Sequence, residues 1–358
     1  MSDLVIPLKD SSGDNRIDAG NKAAALASIM EQGIPVPDGI CLTRYAYDLF
    51  VQETGVADMI MVELGRKRFE EMRWEEMWDA SLRIRNMFAK AEMPEMLRLE
   101  IEREAISRFG DRPVAVRSSS LAEDSAGASF AGLHESLINV AGSEDIMESI
   151  KLVWASLWSD AALLYRDELG LDMRTSAMAV IIQEMVFGEV SGVGFCVDPN
   201  DPGRGVIESV YGLNKGLVDG DIEPDRFFID RETGRVASSS AALHDRKVER
   251  AEKGVRIVDM EDGDTMTLDE SMASDIFALM LRLEASLGVP QDVEWTVREG
   301  RIFILQSRPI TVRDESDRGW YMSLRRSLDN LEKLGRRIEE EILPGMDAEA
   351  AAMASVDL

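Results

Sequence analysis

The chain has 358 residues and a formal net charge of −27, with 67 acidic against 40 basic side chains. A surplus of that size argues against nucleic acid or an anionic membrane as a partner, although a local basic site can still overrule the global field for a small anionic ligand. Cys41 and Cys196 are too few for a disulfide framework, no basic segment leads into an apolar one in MSDLVIPLKD, and apolar runs such as Ala177 to Ile182 are far too short to span a bilayer, so a cytoplasmic protein is expected. The length suggests two lobes rather than one core.

Ala19 to Met30 reads as a helix with small residues on one face, stopped at Gly33 and barred from resuming by Pro35 and Pro37. Lys22 falls in its first turn. There a cation opposes the helix dipole at a cost of roughly a few tenths of a kcal/mol, unless a bound phosphate reverses the sign. An exposed lysine is the alternative. Tyr45 to Arg108 is a long helical region rich in Met, Glu and Arg, whose methionine face is expected to pack as core or between lobes. Gly110 and Pro113 then punctuate the entry to a short buried strand, Val114 to Val116, that delivers Arg117 to a strand end. From Ser118 to Gly132 runs a stretch of small and polar residues that buries little area but can lie close over a ligand, because Gly127 and Gly132 let the backbone approach. Serine hydroxyls, free N–H groups and the forked cation of Arg117 suit phosphate oxygens. A solvated linker would have the same composition.

Ser143 to Leu169 reads as one helix with Leu152, Leu157 and Leu163 among its apolar residues and Trp154 and Trp158 as core. Ala177 to Val186 reads as a buried strand whose polar end, Gln183 and Glu184, either meets a ligand or reaches solvent. Val190 to Val197, Val206 to Tyr211 and Arg226 to Ile229 are further strands, Met260 to Thr267 an acidic surface loop, and Asp269 to Leu287 a helix closed by Gly288 and Pro290. Asp292 to Arg308 reads as two strands around a three-residue loop, Arg298-Glu299-Gly300. That loop pairs Val297 with Arg301 and sets Asp292 opposite Gln306. Asp292, Glu294, Gln306 and Arg308 then share one face, while Val293, Trp295, Phe303 and Leu305 fill the other. Two carboxylates, an amide oxygen and a guanidinium there suit a Mg–phosphate site, though a salt-bridge ladder uses the same residues. A two-residue loop would scatter them. Beyond Pro309, Trp320 to Leu343 reads as a charged helix with a leucine and isoleucine stripe that either docks back or binds another chain.

Five ordered stretches carry a resemblance: GNKAAALASIMEQGIPVPDGICLT, VRSSSLAEDSAGASFAG, QEMVFGEVSGVGFCVDPND, YGLNKGLVDGDIEPDRFFID and DVEWTVREGRIFILQSRPIT. They resemble the nucleotide-binding domain shared by phosphoenolpyruvate synthase, pyruvate phosphate dikinase and rifampin phosphotransferase, over roughly Ala19 to Thr311. The resemblance implies an α+β, two-lobed ATP-grasp fold with mixed or antiparallel sheets and flanking helices. It implies an N-terminal lobe at 1–183, a C-terminal lobe at 184–312 and a helix and tail at 313–358. It implies that Lys22 and Arg117 grip ATP phosphates under the 117–132 loop, with Gly132 and Ser136 in the nucleotide site. Adenine would sit near Gln183 and Glu184. Glu294 and Gln306, with Asp292, would hold Mg²⁺, and Arg308 would contact phosphate. Asn21 replaces a second glycine of the family, and Asn214 and Lys215 stand where its members often have Gly-Glu; Lys215 is given no role.

The relatives carry their phosphoryl group on a histidine of a swivelling domain. Of the two histidines here, neither His134 nor His244 has the neighbours of that motif. The expectation is therefore an ATP-dependent phosphotransferase component that phosphorylates a histidine on a separate chain, ATP becoming AMP. A small acceptor such as phenol, as for the ATP-binding subunit of phenylphosphate synthase, or pyruvate would follow. The alternatives are the front part of a one-chain enzyme and a nucleotide-binding regulatory module without turnover.

Overall fold

A computed structural model describes residues 3–67, 71–120, 135–168, 176–198, 200–260 and 265–310. Residues 1–310 form one compact unit, and the stripe expected at 320–343 lies outside the described residues, as do Gly127, Gly132 and His134.

The N-terminal half is a five-stranded antiparallel sheet. It begins with β1 (Val5–Pro7), α1 (Arg16–Glu31) and β2 (Gly39–Leu42). Four helices follow, α2 (Arg44–Glu53), α3 (Val56–Leu64), α4 (Trp74–Lys90) and α5 (Glu95–Phe109), and then β3 (Val114–Ser119), β4 (Ser136–Val140), α6 (Ser143–Ser156), α7 (Asp160–Glu168) and β5 (Ala179–Glu184). The strand order is β1-β2-β5-β3-β4. Helices α2 to α6 bury Phe50, Phe88, Trp154 and Ile150 against Val114, Val116, Val180 and Ile182 of the sheet. The methionine face is only partly core: Met77 is buried, but Met59, Met61 and Met96 are exposed. The single helix expected over Ser143 to Leu169 is two, because Ser159 Oγ accepts Ala162 N–H at 3.2 Å and caps a new start. Leu152, expected among the apolar positions, is exposed, whereas Leu157 and Leu163 are buried. Trp154 and Trp158 are core, their indole N–H groups donating to Met178 O and to the Tyr47 hydroxyl, each at 3.0 Å.

The C-terminal half is a six-stranded sheet. It is built from β6 (Val190–Phe195), β7 (Arg204–Tyr211), the short α8 (Lys215–Val218), β8 (Asp225–Asp230) and β9 (Val236–Ser240). A separate ribbon, β10 (Arg246–Arg250) and β11 (Val255–Asp259), precedes α9 (Glu270–Leu287), β12 (Gln291–Arg298) and β13 (Arg301–Pro309). The order β13-β12-β6-β7-β8-β9 is antiparallel throughout. Asp269 caps α9 by accepting Met272 N–H at 2.7 Å, and Gly288 at φ 77° ends it. Thr267, expected on a surface loop, is buried: its N–H and hydroxyl reach Asp225 Oδ2 at 2.7 and 2.9 Å. His244 is buried on the other oxygen of Asp225, Nε2 to Oδ1 at 2.8 Å. Helix α1 joins the halves, with Ala19, Ala23 and Leu26 packed beside β2 and β5 and Ile29 in the core of the second sheet.

The β12–β13 hairpin departs from its expected register. The turn has two residues, Glu299 and Gly300 at φ 51° and 72°, so Arg298 pairs with Arg301. Leu305 then bulges, because Trp295 pairs with Ile304 but Glu294 with Gln306. Asp292 falls opposite Arg308. Ile304, rather than Phe303 or Leu305, fills the core beside Trp295. The bulge restores the one-faced cluster that a two-residue turn alone would have scattered.

Candidate nucleotide and metal site

Lys22 is placed by a backbone collision avoided. Gly20 sits at φ 80° inside α1, and a Cβ there would lie 2.2 Å from Ser119 O. The helix restarts behind it, with Ala23 N–H donating to Ser119 Oγ at 3.1 Å and Ser119 Oγ donating to Ala19 O at 2.7 Å. A strand serine thus caps the helix that carries Lys22. On β3, Val114 and Val116 enter the core while Ala115 and Arg117 line a cleft, as strand alternation requires. Ser136 pairs with Arg117 across β3–β4 and lines the same cleft.

The cleft encloses about 570 Å³ and is lined by Lys22, Arg117, Ser136, Gln183, Glu184, Glu294, Gln306 and Arg308. Residues as far apart in sequence as Lys22 and Arg308 therefore face one space. Arg117 spans it: Nη1 donates to Leu305 O at 2.6 Å, Nη2 donates to Gln306 Oε1 at 2.7 Å, and Nη2 lies 3.6 Å from Glu294 Oε2. The bulge at Leu305 is what turns that carbonyl toward the arginine.

At the end of β5, Gln183 is buried and donates through Nε2 to Pro37 O at 3.1 Å. The Glu184 carboxylate pairs with Arg112. The backbone N–H groups of Glu184 and Met185 donate to Asp38 O and Pro113 O, at 2.8 and 3.0 Å. These two side chains are tied to the protein and shape the wall. Asp292 is not among the described residues that line the cleft. Its Oδ2 accepts Arg308 Nε at 2.7 Å, with Nη2 also at 2.7 Å, so the structure gives it to Arg308. Gly132 lies outside the described residues.

Glu294 and Gln306 face each other as a cross-strand pair. A carboxylate and an amide oxygen are hard donors of the kind Mg²⁺ takes together with substrate phosphates, so the donor set fits that ion. Among the described residues no group of three His, Cys, Asp or Glu gathers as a protein-only metal site. No cysteine is poised as a nucleophile: burial pushes the thiols of Cys41 and Cys196 up to about 12.

Sequence reasoning missed three contributors. Ser119 caps Lys22's helix, Leu305 supplies a carbonyl, and Asn214 lines the cleft with Nδ2 3.5 Å from Glu294 Oε2. Asn214 had a signal in its departure from the Gly-Glu of the resembling enzymes, and Ser119 lay in the Ser118–Gly132 run expected to lie over the phosphates, whereas β3 continues past Arg117 to a buried Ser119.

A family profile described as pyruvate phosphate dikinase, AMP/ATP-binding domain, matches residues 17–326. The chain is 34% identical to a phosphoenolpyruvate synthase of Aeropyrum pernix, over 86% of this chain and 42% of the relative. It is 33% identical to a probable phosphoenolpyruvate synthase of Methanocaldococcus jannaschii, over 82% and 25%. It is 33% identical to a rifampicin phosphotransferase of Bacillus cereus, over 87% and 36%. The chain thus spans between a quarter and less than half of these relatives. Among solved structures, a D-alanine–D-alanine ligase from Bacillus anthracis aligns over 82% of this chain and 56% of its own at 11% identity, with a TM-score of 0.32, too slight to build on. No described helix is long and apolar enough to cross a membrane.

Proposed function

The chain belongs to the pyruvate phosphate dikinase AMP/ATP-binding domain family, and from that premise we propose that it is the ATP-binding, phosphoryl-donating component of a dikinase-type phosphotransferase. ATP would lie in the cleft between two ATP-grasp lobes, with adenine along the end of β5 and the phosphates toward Lys22, Arg117 and Arg308. The observation that carries this reading is the position of Arg117, whose fork sits against both Glu294 and Gln306 from the opposite sheet. Glu294 and Gln306 would hold Mg²⁺, which supplies charge neutralisation at the phosphates when bound. The residues of the chain position and neutralise: they hold the triphosphate in line and spread its developing charge over fixed cations. No protein nucleophile in this chain takes part.

The β-phosphoryl group would pass to a histidine carried outside these residues, AMP leaving and the γ-phosphoryl group passing to water as inorganic phosphate, and from the histidine to a small acceptor, phenol or pyruvate. We favour a carrier on a separate swivelling-domain chain, as in phenylphosphate synthase. The length of the relatives favours a second reading, in which the carrier belongs to the same polypeptide. The test mixes the protein with ATP labelled at the β-phosphate and companion polypeptides that hold a carrier histidine. Label on a companion histidine, with AMP formed in equal amount, is the expected result. Rapid AMP production by the 358-residue chain with an organic acceptor and no second protein would refute the proposal.

A further inference from the structure

Asn214 follows β7 and is 8% exposed. Its Nδ2 contact with Glu294 Oε2 is long, at 3.5 Å. Its Oδ1 is buried and has no hydrogen-bond donor among the described residues. A buried acceptor without a donor is unfavourable, and native proteins keep few of them. Asn214 lines the cleft, and the end of its amide that lies beside the Glu294 carboxylate is Nδ2, with the orphaned Oδ1 at the other end.

A half turn about χ2 exchanges the two ends of the amide, which are nearly equal in size. The oxygen then faces Glu294 Oε2. Two acceptors repel at that separation unless a cation lies between them. Asp292 is not among the described residues that line the cleft, and its Oδ2 accepts from Arg308. We propose that Asn214 supplies, through Oδ1, a third protein oxygen to the divalent cation that Glu294 and Gln306 hold against the nucleotide phosphates. This rests on the reading of the cleft given above. The choice of an amide has a physical reason. Mg²⁺ is bound through one or two carboxylates together with substrate phosphates, and a neutral oxygen completes its shell without adding charge that would repel the triphosphate. Gln306 is such an oxygen from β13, and Asn214 is its counterpart from the β7 side.

The experiment titrates Mn²⁺ into the full chain with a non-hydrolysable ATP analogue and reads bound metal by electron paramagnetic resonance. Asn214→Leu keeps the size and removes the oxygen. It should weaken Mn²⁺ binding about tenfold while the metal-free affinity for the analogue is unchanged. Asn214→Asp should bind Mn²⁺ more tightly, and that gain should vanish as pH falls through the carboxylate range. Glu294→Gln separates the two levels of the claim. Mn²⁺ affinity unaffected by Glu294→Gln would sink the reading of the cleft itself. Affinity reduced by Glu294→Gln but unaltered in both Asn214 variants would overturn the Asn214 assignment alone. Equal loss of metal-bound and metal-free affinity in Asn214→Leu would also overturn it, since the amide would then touch the nucleotide directly.

Discussion

Arg117 does two jobs with one guanidinium. It joins β3 of the first sheet to the bulge of β13 in the second, and it presents a fixed cation to the cleft. The jobs separate on substitution. Arg117→Lys keeps the charge but not the fork, so one of its two acceptors, Leu305 O or Gln306 Oε1, loses its donor. Arg117→Ala leaves both without a donor and should destabilise the fold by about 1–3 kcal/mol, read from urea midpoints. Loss of a preorganised cation aimed at developing charge costs about 10²–10³ in rate, so Arg117→Ala should slow phosphoryl transfer by that order in a rapid-quench measurement. Transfer at the wild-type rate with the expected loss of stability would leave Arg117 a purely structural residue.

At the scale of elements, the β10–β11 ribbon fastens the second sheet to the first. Asn139 on β4 is buried, holds φ 58°, and donates through Nδ2 to Ala251 O and Gly254 O at 2.9 and 2.7 Å in the ribbon's turn. Lys253 in that turn pairs with Asp145 at 2.7 Å. β10 also lies against the segment after β7, where Leu213 N–H donates to Val248 O at 3.0 Å. Ile138 of β4 in the first sheet and Leu213 after β7 of the second both line the cleft, so the ribbon is a strut between those two lining segments. Asn139→Asp turns a donor into an acceptor facing two carbonyls and should cost more than Asn139→Ala. Both should raise amide exchange across 246–259 before the rest of the sheet, measured by mass spectrometry; protection unchanged in both would remove the strut. The sequence showed none of this, because the ribbon's tie is one side chain meeting two carbonyls more than 100 residues away. The β12–β13 hairpin was legible in part. Alternation put Asp292, Glu294, Gln306 and Arg308 on one face, but the turn length and the bulge were read wrongly together. Alternation survives any shift of register by two, whereas Leu305's carbonyl and the Asp292–Arg308 pair depend on the true pairing. The split of α6 from α7 was hidden for a similar reason. Ser159 is an ordinary helical residue until its hydroxyl finds the N–H of Ala162.

The whole molecule sets a field against its own expected ligand. A formal charge of −27 repels a nucleotide triphosphate at long range, while Lys22, Arg117 and Arg308 attract it only inside the cleft. The two contributions have different reach. At low ionic strength of about 0.01 M the screening length is roughly 30 Å, long enough for the whole surface to act, and near 0.15 M it is about 8 Å. Salt should therefore remove the repulsion of the approach more than the attraction of the bound state. Association of a fluorescent ATP analogue should speed up between those two concentrations, opposite to the slowing seen where a cleft and its surroundings share one favourable sign. Dissociation should change less, because the contacts that hold the phosphates are partly buried: the Arg117 side chain is 13% exposed. Stopped-flow mixing with the metal-free analogue and with its uncharged nucleoside separates the effect of charge from that of viscosity, and the nucleoside's rate should not move. An association rate that falls with salt would mean that the basic groups of the cleft govern the approach from a distance, and that the acidic surface is turned away from its mouth.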